Sequence, residues 1–322
     1  MRYWWVNHKQ TSRYEIAGGF LWSPMRKVDN SENYFYKTMR RASPGDLVIS
    51  YSHGLISYIG TVADFAIPAP KPLSFGKVGE NWCKNNGWLL PVNWVALESP
   101  VRPKLKIKKL REFLPSKYSP ISLKTGNGNQ GAYLAPIGRS VFEYLIEQRN
   151  MPEEAKSLPV GLASSIFNEI DDNIENEILA DQSLDSTTKE RLVSARIGQG
   201  VFRERVYEFE SACRLTKVQT PSLLIASHIK PWRLCESAFE RLDGANGLLL
   251  TPHVDLLFDR GLISFSDNGD VLLSSEIKLS DLELLSLDEC CMRGVGVFDS
   301  RQKKYLEYHR SFVFLNDNSG FD

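Results

Sequence analysis

Leu223-Leu224-Ile225-Ala226-Ser227-His228-Ile229-Lys230-Pro231-Trp232, followed by Asn246-Gly247-Leu248-Leu249-Leu250-Thr251-Pro252 and Asp255-Leu256-Leu257-Phe258-Asp259-Arg260-Gly261, decides the fold of the carboxy-terminal part of this chain. The apolar run Leu223 to Ala226, closed by Lys230-Pro231, and the run Leu248 to Leu250 read as two strands separated by a long loop. His228 ends the first strand and Asn246 opens the second. Thr251 is a hydroxyl residue suited to a helix N-cap, and Pro252 lacks an N–H that the first helical position does not use. A helix is therefore expected from about residue 252, stopped by Gly261, which readily takes the left-handed conformation. Its apolar side is Val254, Leu257 and Phe258. Asp255 and Asp259, four residues apart, share one face.

Strand, strand and helix thus bring one imidazole and two carboxylates together. An imidazole, with an ordinary pKa of about 6.5, suits a general base near neutral pH. Paired carboxylates favour a hard divalent cation such as Mg²⁺ or Mn²⁺ over zinc. Base and cation are what phosphodiester hydrolysis requires, to deprotonate water and to stabilise charge growing on phosphate and leaving oxygen. Asn246 is neutral and suits the orientation of the loop that carries His228. His253, two residues before Asp255, points away from the carboxylates.

These motifs resemble the HNH (ββα-metal) nuclease family, in the branch that reads Ala-x-His-Ile-x-Pro-Trp, Asn-Gly-Leu-Leu-Leu, then Asp-x-x-Phe-Asp-x-Gly-x-Ile-x-Phe. In this chain they are Ala226 to Trp232, Asn246 to Leu250 and Asp255 to Phe265. The resemblance implies His228 as general base, Asn246 in the catalytic set, and Asp255 and Asp259 as metal ligands. It also implies a ligand in the position before the base, held here by Ser227, a weak donor. Arg196-Ile197-Gly198-Gln199, Phe202-Arg203, Cys213-Arg214-Leu215-Thr216 and Tyr305-Leu306-Glu307-Tyr308-His309-Arg310 fit the same branch, so it covers roughly residues 191 to 315. Arg203 and Arg310 are candidates for holding DNA phosphates, an ion pair within the protein being the alternative.

At 322 residues the chain is long enough for two domains. Its 39 basic and 39 acidic side chains cancel, so nucleic-acid binding requires segregated charge. Arg102, Lys104, Lys106, Lys108, Lys109 and Arg111 crowd one stretch, and Lys106 and Lys108 are candidates for the DNA backbone. Glu169 to Asp185 carries seven acids and no base. Five cysteines, only Cys290-Cys291 adjacent, suit a reducing cytoplasm rather than a disulfide framework. No apolar run approaches the roughly eighteen residues of a membrane span, so no membrane partner is expected.

Residues 1–148 read as a mixed β-barrel with short helices. Aromatic and β-branched runs at Tyr3 to Val6, Leu47 to Ser52, Ile56 to Asp64, Trp88 to Leu97 and Ala132 to Pro136 lie between turn signals, with helices expected at Asn33 to Arg41 and Ile137 to Arg149. Alternation sends Trp4 and Trp5 to opposite faces, so one is expected to meet something other than core. The opening Tyr3-Trp4-Trp5-Val6, Gly19-Phe20-Leu21-Trp22-Ser23-Pro24 and Pro44-Gly45-Asp46 before a strand resemble an EVE domain of the PUA-like superfamily. In relatives of that fold, aromatic rings and amides hold a modified base, which in duplex DNA must first be flipped out. The resemblance places Asn7, Trp22, Tyr36, Tyr51 and Ser52 around such a pocket, with Lys9 and His8 near the DNA backbone. Trp22, after a Gly-Gly loop, is expected to be the least committed to core. Residues 149–190 read as an acidic helical connector, with a helix from Leu162 to Leu179, and 191–322 as the HNH domain.

The fold class expected is α+β in two domains, a PUA-like (EVE) reader and a ββα-metal nuclease. The two resemblances together imply an EVE–HNH modification-dependent, type IV-like restriction endonuclease acting on double-stranded DNA with 5-methyl- or 5-hydroxymethylcytosine. Alternatives are a nonspecific HNH nuclease and a reader of modified nucleic acid without nuclease activity. One HNH site cuts one strand, so a homodimer is one route to a double-strand break.

Overall fold

The computed structural model describes residues 1–82, 86–129, 131–146, 162–196, 200–289 and 294–315. Contacts divide the chain into two units, Met1–Asn173 and Ile174–Asp322. Cys290-Cys291, Ile197-Gly198-Gln199, Pro152-Glu153-Glu154 and the expected helix end at 147–149 lie outside the described residues. None of the described helices is long and apolar enough to cross a membrane.

The first unit is built on a curled, mixed seven-stranded sheet: β1 (Tyr3–Asn7), β2 (Phe20–Pro24), β3 (Leu47–Ser52), β4 (Leu55–Val62), β5 (Ile67–Ala69), β6 (Gly87–Val101) and β7 (Leu134–Ile137). The strand order is β2-β6-β4-β3-β1-β7, with β5 beside β6. Only β1 and β3 run parallel; the other pairs are antiparallel. Short helices α1 (Ser12–Gly18), α2 (Tyr34–Lys37), α3 (Ile107–Leu110) and α4 (Arg139–Ile146) attach to it, and α5 (Leu162–Ala180) spans the unit boundary.

Both faces of β1 are covered, contrary to the expectation for its tryptophan pair. Trp5 packs with Ile49, Ile59 and Phe142, while Trp4, on the other face, is buried with its indole N–H donated to Asp46. Curling supplies the second cover that alternation in a flat sheet would lack. Asp46 explains the Pro44-Gly45-Asp46 turn. Its buried carboxylate accepts from Arg2 N–H (2.6 Å), Ser43 N–H (3.0 Å) and Trp4 Nε1 (3.0 Å), tying β1 to the start of β3.

Trp22 is corrected in the same way. Gly19, at φ 69°, ends α1 and the chain enters β2 at once, so Trp22 is a strand residue at 1% exposure among Phe20, Phe75 and Leu89. Its ring lies where a side chain on Gly87, two residues along the neighbouring strand β6 from its partner Leu89, would stand, since a Cβ there would meet it at 2.2 Å.

In the second unit, β8 (Ile225–His228) pairs antiparallel with β9 (Gly247–Leu250), Ser227 opposite Leu248 and His228 opposite Gly247. Around them lie α6 (Ser186–Arg196), α7 (Gly200–Val206), α8 (Ala238–Leu242), α9 (Pro252–Asp259), the hairpin β10 (Ile263–Phe265) and β11 (Val271–Leu273), α10 (Leu279–Leu284) and α11 (Ser300–Tyr308). The strand–strand–helix order is the one read from sequence. The first strand starts later than expected because Pro221–Leu223 forms a 3-10 turn. Asn246 closes the 3-10 turn Gly244–Asn246 rather than opening β9. Thr251 makes no side-chain cap, and Gly261, at φ 68°, turns the chain out of α9.

Asp46→Ala removes three hydrogen bonds to one buried carboxylate and should lower the stability of the first unit by about 2–4 kcal/mol. Chemical denaturation followed by tryptophan fluorescence measures this; an unmoved midpoint contradicts it.

Candidate active site and ligand cavity

The end of β8 delivers Ser227 and His228 to the face of α9 that carries Asp255 and Asp259. Asn246 fixes the intervening loop. Fully buried, it accepts Lys230 N–H at its Oδ1 (2.8 Å) and donates Nδ2 to the carbonyls of Lys230 (3.2 Å) and Glu240 (3.1 Å). Ile229 N–H donates to the Asn246 carbonyl (2.9 Å). Asn246 thus holds both ends of the loop following His228, and its side chain is committed to the protein's own backbone.

His228 Nε2 lies 3.0 Å from the carbonyl oxygen of Arg241. A carbonyl only accepts, so Nε2 carries the hydrogen and the neutral ring leaves Nδ1 as an acceptor. Phe202 stacks on the imidazole, centroids 3.7 Å apart and planes 5° from parallel. Burial pushes the imidazole pKa down to about 4, assisted by the Arg241 guanidinium and opposed by the hydrogen bond to its carbonyl. The ring is therefore an unprotonated base at neutral pH.

Ser227, buried, stands close enough to the carboxyls of Asp255 and Asp259 to favour their charged forms. Burial raises the pKa of Asp255, and its buried Oδ1 has no hydrogen-bond partner among the described residues. Desolvation of its carboxyl by neighbouring protein atoms, and then repulsion from Asp255, push Asp259 up to about 7, against Arg233, Ser227 and Arg260. Asp259 is exposed at the end of α9, so water screens part of that shift without reversing it. Two crowded carboxylates and an orphaned oxygen form a site that a hard cation resolves. Among the described residues no three His, Cys, Asp or Glu side chains form a metal cluster. The side chains gathered here are two carboxylates and the Ser227 hydroxyl, oxygen donors of the kind a hard cation takes.

Arg203 and Arg310 are bound to the protein itself. Arg203 donates to the carbonyls of Leu224 (2.9 Å) and Pro221 (2.6 Å), bracing the segment before β8. Arg310 donates to the carbonyl of Phe265 (2.9 Å) and pairs with Asp267 (2.8 Å). Residue type alone did not single out Phe202, Arg233 or Arg241 for the roles seen here. Phe202 precedes Arg203 in a segment that fits the family branch, whereas Arg233 follows Pro231-Trp232 and Arg241 lies on α8 between the two strands.

In the first unit, Asn7, Trp22, Tyr36, Tyr51, Ser52 and Lys9 line one cavity of about 800 Å³. The β3–β4 register shifts between Ser50 and Tyr51, and this bulge accounts for the consecutive Tyr51 and Ser52 both reaching it. Trp22 forms an inner wall, stacked on Trp82 with centroids 6.1 Å apart. Asn7 accepts from Trp5 Nε1 (2.8 Å) and donates to the Pro120 carbonyl (2.8 Å), so it shapes the wall. Behind the lining, buried Glu15 accepts from Thr11 (2.8 Å), Trp22 N–H (3.0 Å) and the Tyr133 hydroxyl, and meets His8 Nδ1 at 2.7 Å. Ser23 Oγ, on the lining and fully buried, has no hydrogen-bond partner among the described residues. Lys106 and Lys108 sit apart from these residues, at the start of the α3 segment: Lys106 over the Tyr144 ring (5.3 Å) and Lys108 exposed.

Residues 213–266 match the family described as HNH endonuclease. This interval contains β8, β9 and α9, so the second unit carries an HNH endonuclease domain and the chain is a metal-dependent DNA endonuclease. No curated protein matches the chain. Solved structures similar to the chain include a Rhodopseudomonas palustris protein determined by NMR (15% identity, 45% of this chain and 90% of that one, TM-score 0.29). A Pseudomonas syringae crystal structure (16% identity, 44% and 95%, TM-score 0.29) and the Pho92 YTH domain in complex with m6A (11% identity, 47% and 87%, TM-score 0.31) are others. Superpositions this partial carry no inference about ligand or activity.

His228→Ala should lower kcat by about 10²–10⁴-fold while divalent-metal binding measured by calorimetry stays unchanged; retained cleavage contradicts the assignment. Because the Asp259 pKa is raised, its proton must leave when metal binds, and the stability contributed by the protonated form is lost as pH rises through the folded pKa. Metal binding offsets that loss. The rise in melting temperature caused by Mg²⁺ should therefore grow between pH 6 and 8; a rise independent of pH contradicts it.

Proposed function

We propose that this chain is a modification-dependent, type IV-like restriction endonuclease whose first unit holds a flipped, modified cytosine while the HNH domain cuts the DNA. The observation that carries this reading is the convergence of Trp22, Tyr36, Tyr51, Asn7 and Ser52 on one cavity. Its volume of about 800 Å³ suits a small ligand. The described lining includes no Asp, Glu or Arg, which favours a neutral heterocycle over a free phosphate. Stacking on aromatic rings contributes about 1–3 kcal/mol per base. The unpartnered Ser23 hydroxyl supplies a polar contact for a base or its substituent.

The backbone-binding surface is read from Lys9, exposed at the cavity, and from the basic segment at α3. Lys104 Nζ reaches Asn127 Oδ1 (3.3 Å), a lining residue, and so tethers that segment to the rim. Lys106 and Lys108 extend the same positive stretch.

In the nuclease site, His228 Nδ1 takes the proton of the attacking water while Phe202 and the Arg241 carbonyl keep the ring in place. Asp255, Asp259 and Ser227 would hold Mg²⁺ or Mn²⁺. Bound there, the cation stabilises charge on the phosphate and the leaving oxygen. Asn246 keeps the loop after His228 closed on itself. A double-strand break requires two such sites, through a homodimer or successive binding.

Digestion of matched duplexes carrying cytosine, 5-methylcytosine or 5-hydroxymethylcytosine, with Mg²⁺ and with Mn²⁺, tests the proposal. Preferential cutting of a modified duplex is expected. Equal cutting of all three identifies a nonspecific nuclease, and modified-duplex binding without cutting identifies a reader alone. Lys104→Ala and Lys108→Ala should each weaken binding to all three duplexes alike and reduce the salt slope by about 1.

A further inference from the structure

The imidazole of His309 is built into the second unit in the same way as that of the general base. Phe258 stacks on His309 with centroids 3.7 Å apart and planes 5° from parallel, the values found for Phe202 on His228. His309 Nε2 lies 3.0 Å from the carbonyl oxygen of Phe258 and therefore donates to it. The difference is at the other nitrogen. His309 Nδ1 meets the hydroxyl of Ser264 at 2.9 Å, and Ser264 and His309 are both buried. With Nε2 protonated, Nδ1 accepts from that hydroxyl. Both nitrogens of His309 are thus bonded within the protein.

The carbonyl and ring that His309 grips belong to Phe258, the residue before Asp259. α9 is only eight residues long, and its last carbonyls are closed from beyond the helix: Arg260 N–H donates to the Leu256 carbonyl (3.2 Å) and Gly261 N–H to the Phe258 carbonyl (2.8 Å), so Phe258 accepts from Gly261 and His309 together. Further bonds close the same turn: Leu262 N–H donates to the Leu257 carbonyl (2.8 Å) and Leu315 N–H to the Gly261 carbonyl (2.8 Å). Arg310, next to His309, holds the Phe265 carbonyl (2.9 Å). The one-turn π-helix His309–Val313 directly continues α11, and single π-helical turns often mark functional positions.

We propose that His309 is a positioning residue that fixes the carboxyl-terminal turn of α9 and thereby sets the pose of Asp259 toward the divalent cation. The inference rests on Asp259 being a metal ligand. Groups that orient ligands from behind commonly contribute 10–100-fold to metal affinity. His309→Phe keeps a stacking ring and removes both hydrogen bonds; His309→Gln restores a donor at a similar reach.

The test uses the full chain, with Mn²⁺ affinity measured by calorimetry alongside melting temperature, kcat at saturating Mn²⁺ and KM for DNA. His309→Phe should weaken Mn²⁺ binding about tenfold with KM for DNA unchanged, and His309→Gln should recover most of the loss. Asp259→Ala separates the two layers: if it binds Mn²⁺ as well as the wild type, the ligand assignment itself fails. If Asp259→Ala loses binding while His309→Phe keeps wild-type affinity, the positioning role is overturned. Equal loss in the Phe and Gln variants, tracking melting temperature, also overturns it. Should His309→Phe not fold, Ser264→Ala decides the matter: a severalfold weaker Mn²⁺ affinity supports the role, and unchanged affinity contradicts it.

Discussion

Two carboxylates one helical turn apart, with a serine hydroxyl against them, are the constraint on which the second unit turns. Such a pair is unfavourable by itself: burial raises the pKa of Asp255, and burial with repulsion from Asp255 raises that of Asp259. A fold carries this arrangement stably only if its surroundings prevent the carboxylates from moving apart. Asn246 anchors the loop after β8, the apolar side of α9 is buried through Val254, Leu257 and Phe258, and the turn after α9 is bonded back onto the helix. The pair is held in an electrostatically strained arrangement.

The base is prepared by the opposite means. His228 has its ring immobilised by an aromatic face and its tautomer set by one carbonyl, and burial keeps it neutral. One environment therefore raises acids and lowers a base. Each shift disfavours charge, and a cation held by the carboxylates would favour their charged forms while leaving the imidazole free to accept a proton.

The ββα order was legible because its determinants are local. Pro252 at a helix start, Gly261 at its end and the four-residue spacing of Asp255 and Asp259 each act within one turn. What escaped the sequence depends on distant contacts. Trp22 reads as a loop residue from its Gly-Gly neighbours, but Gly87, far along the chain, leaves the space that lets the ring lie in the core. Trp4 and Trp5 read as facing different surroundings, but the curl of the sheet covers both. Arg203 and Arg310 read equally as phosphate ligands or as partners within the protein, and the folded chain directs their donors at its own carbonyls. At the cavity, the aromatic and amide residues were legible from a family resemblance. Ser23 required the structure, because its distinction is the lack of a partner.

Asp255 and Asp259, with His228 beside them, are proposed to form one cation site. Anomalous diffraction from crystals of the His228→Ala protein grown with Mn²⁺ tests it most directly. The account predicts a single strong peak within coordination distance of both carboxylates. A peak elsewhere, or none between Asp255 and Asp259 at saturating Mn²⁺, would contradict it.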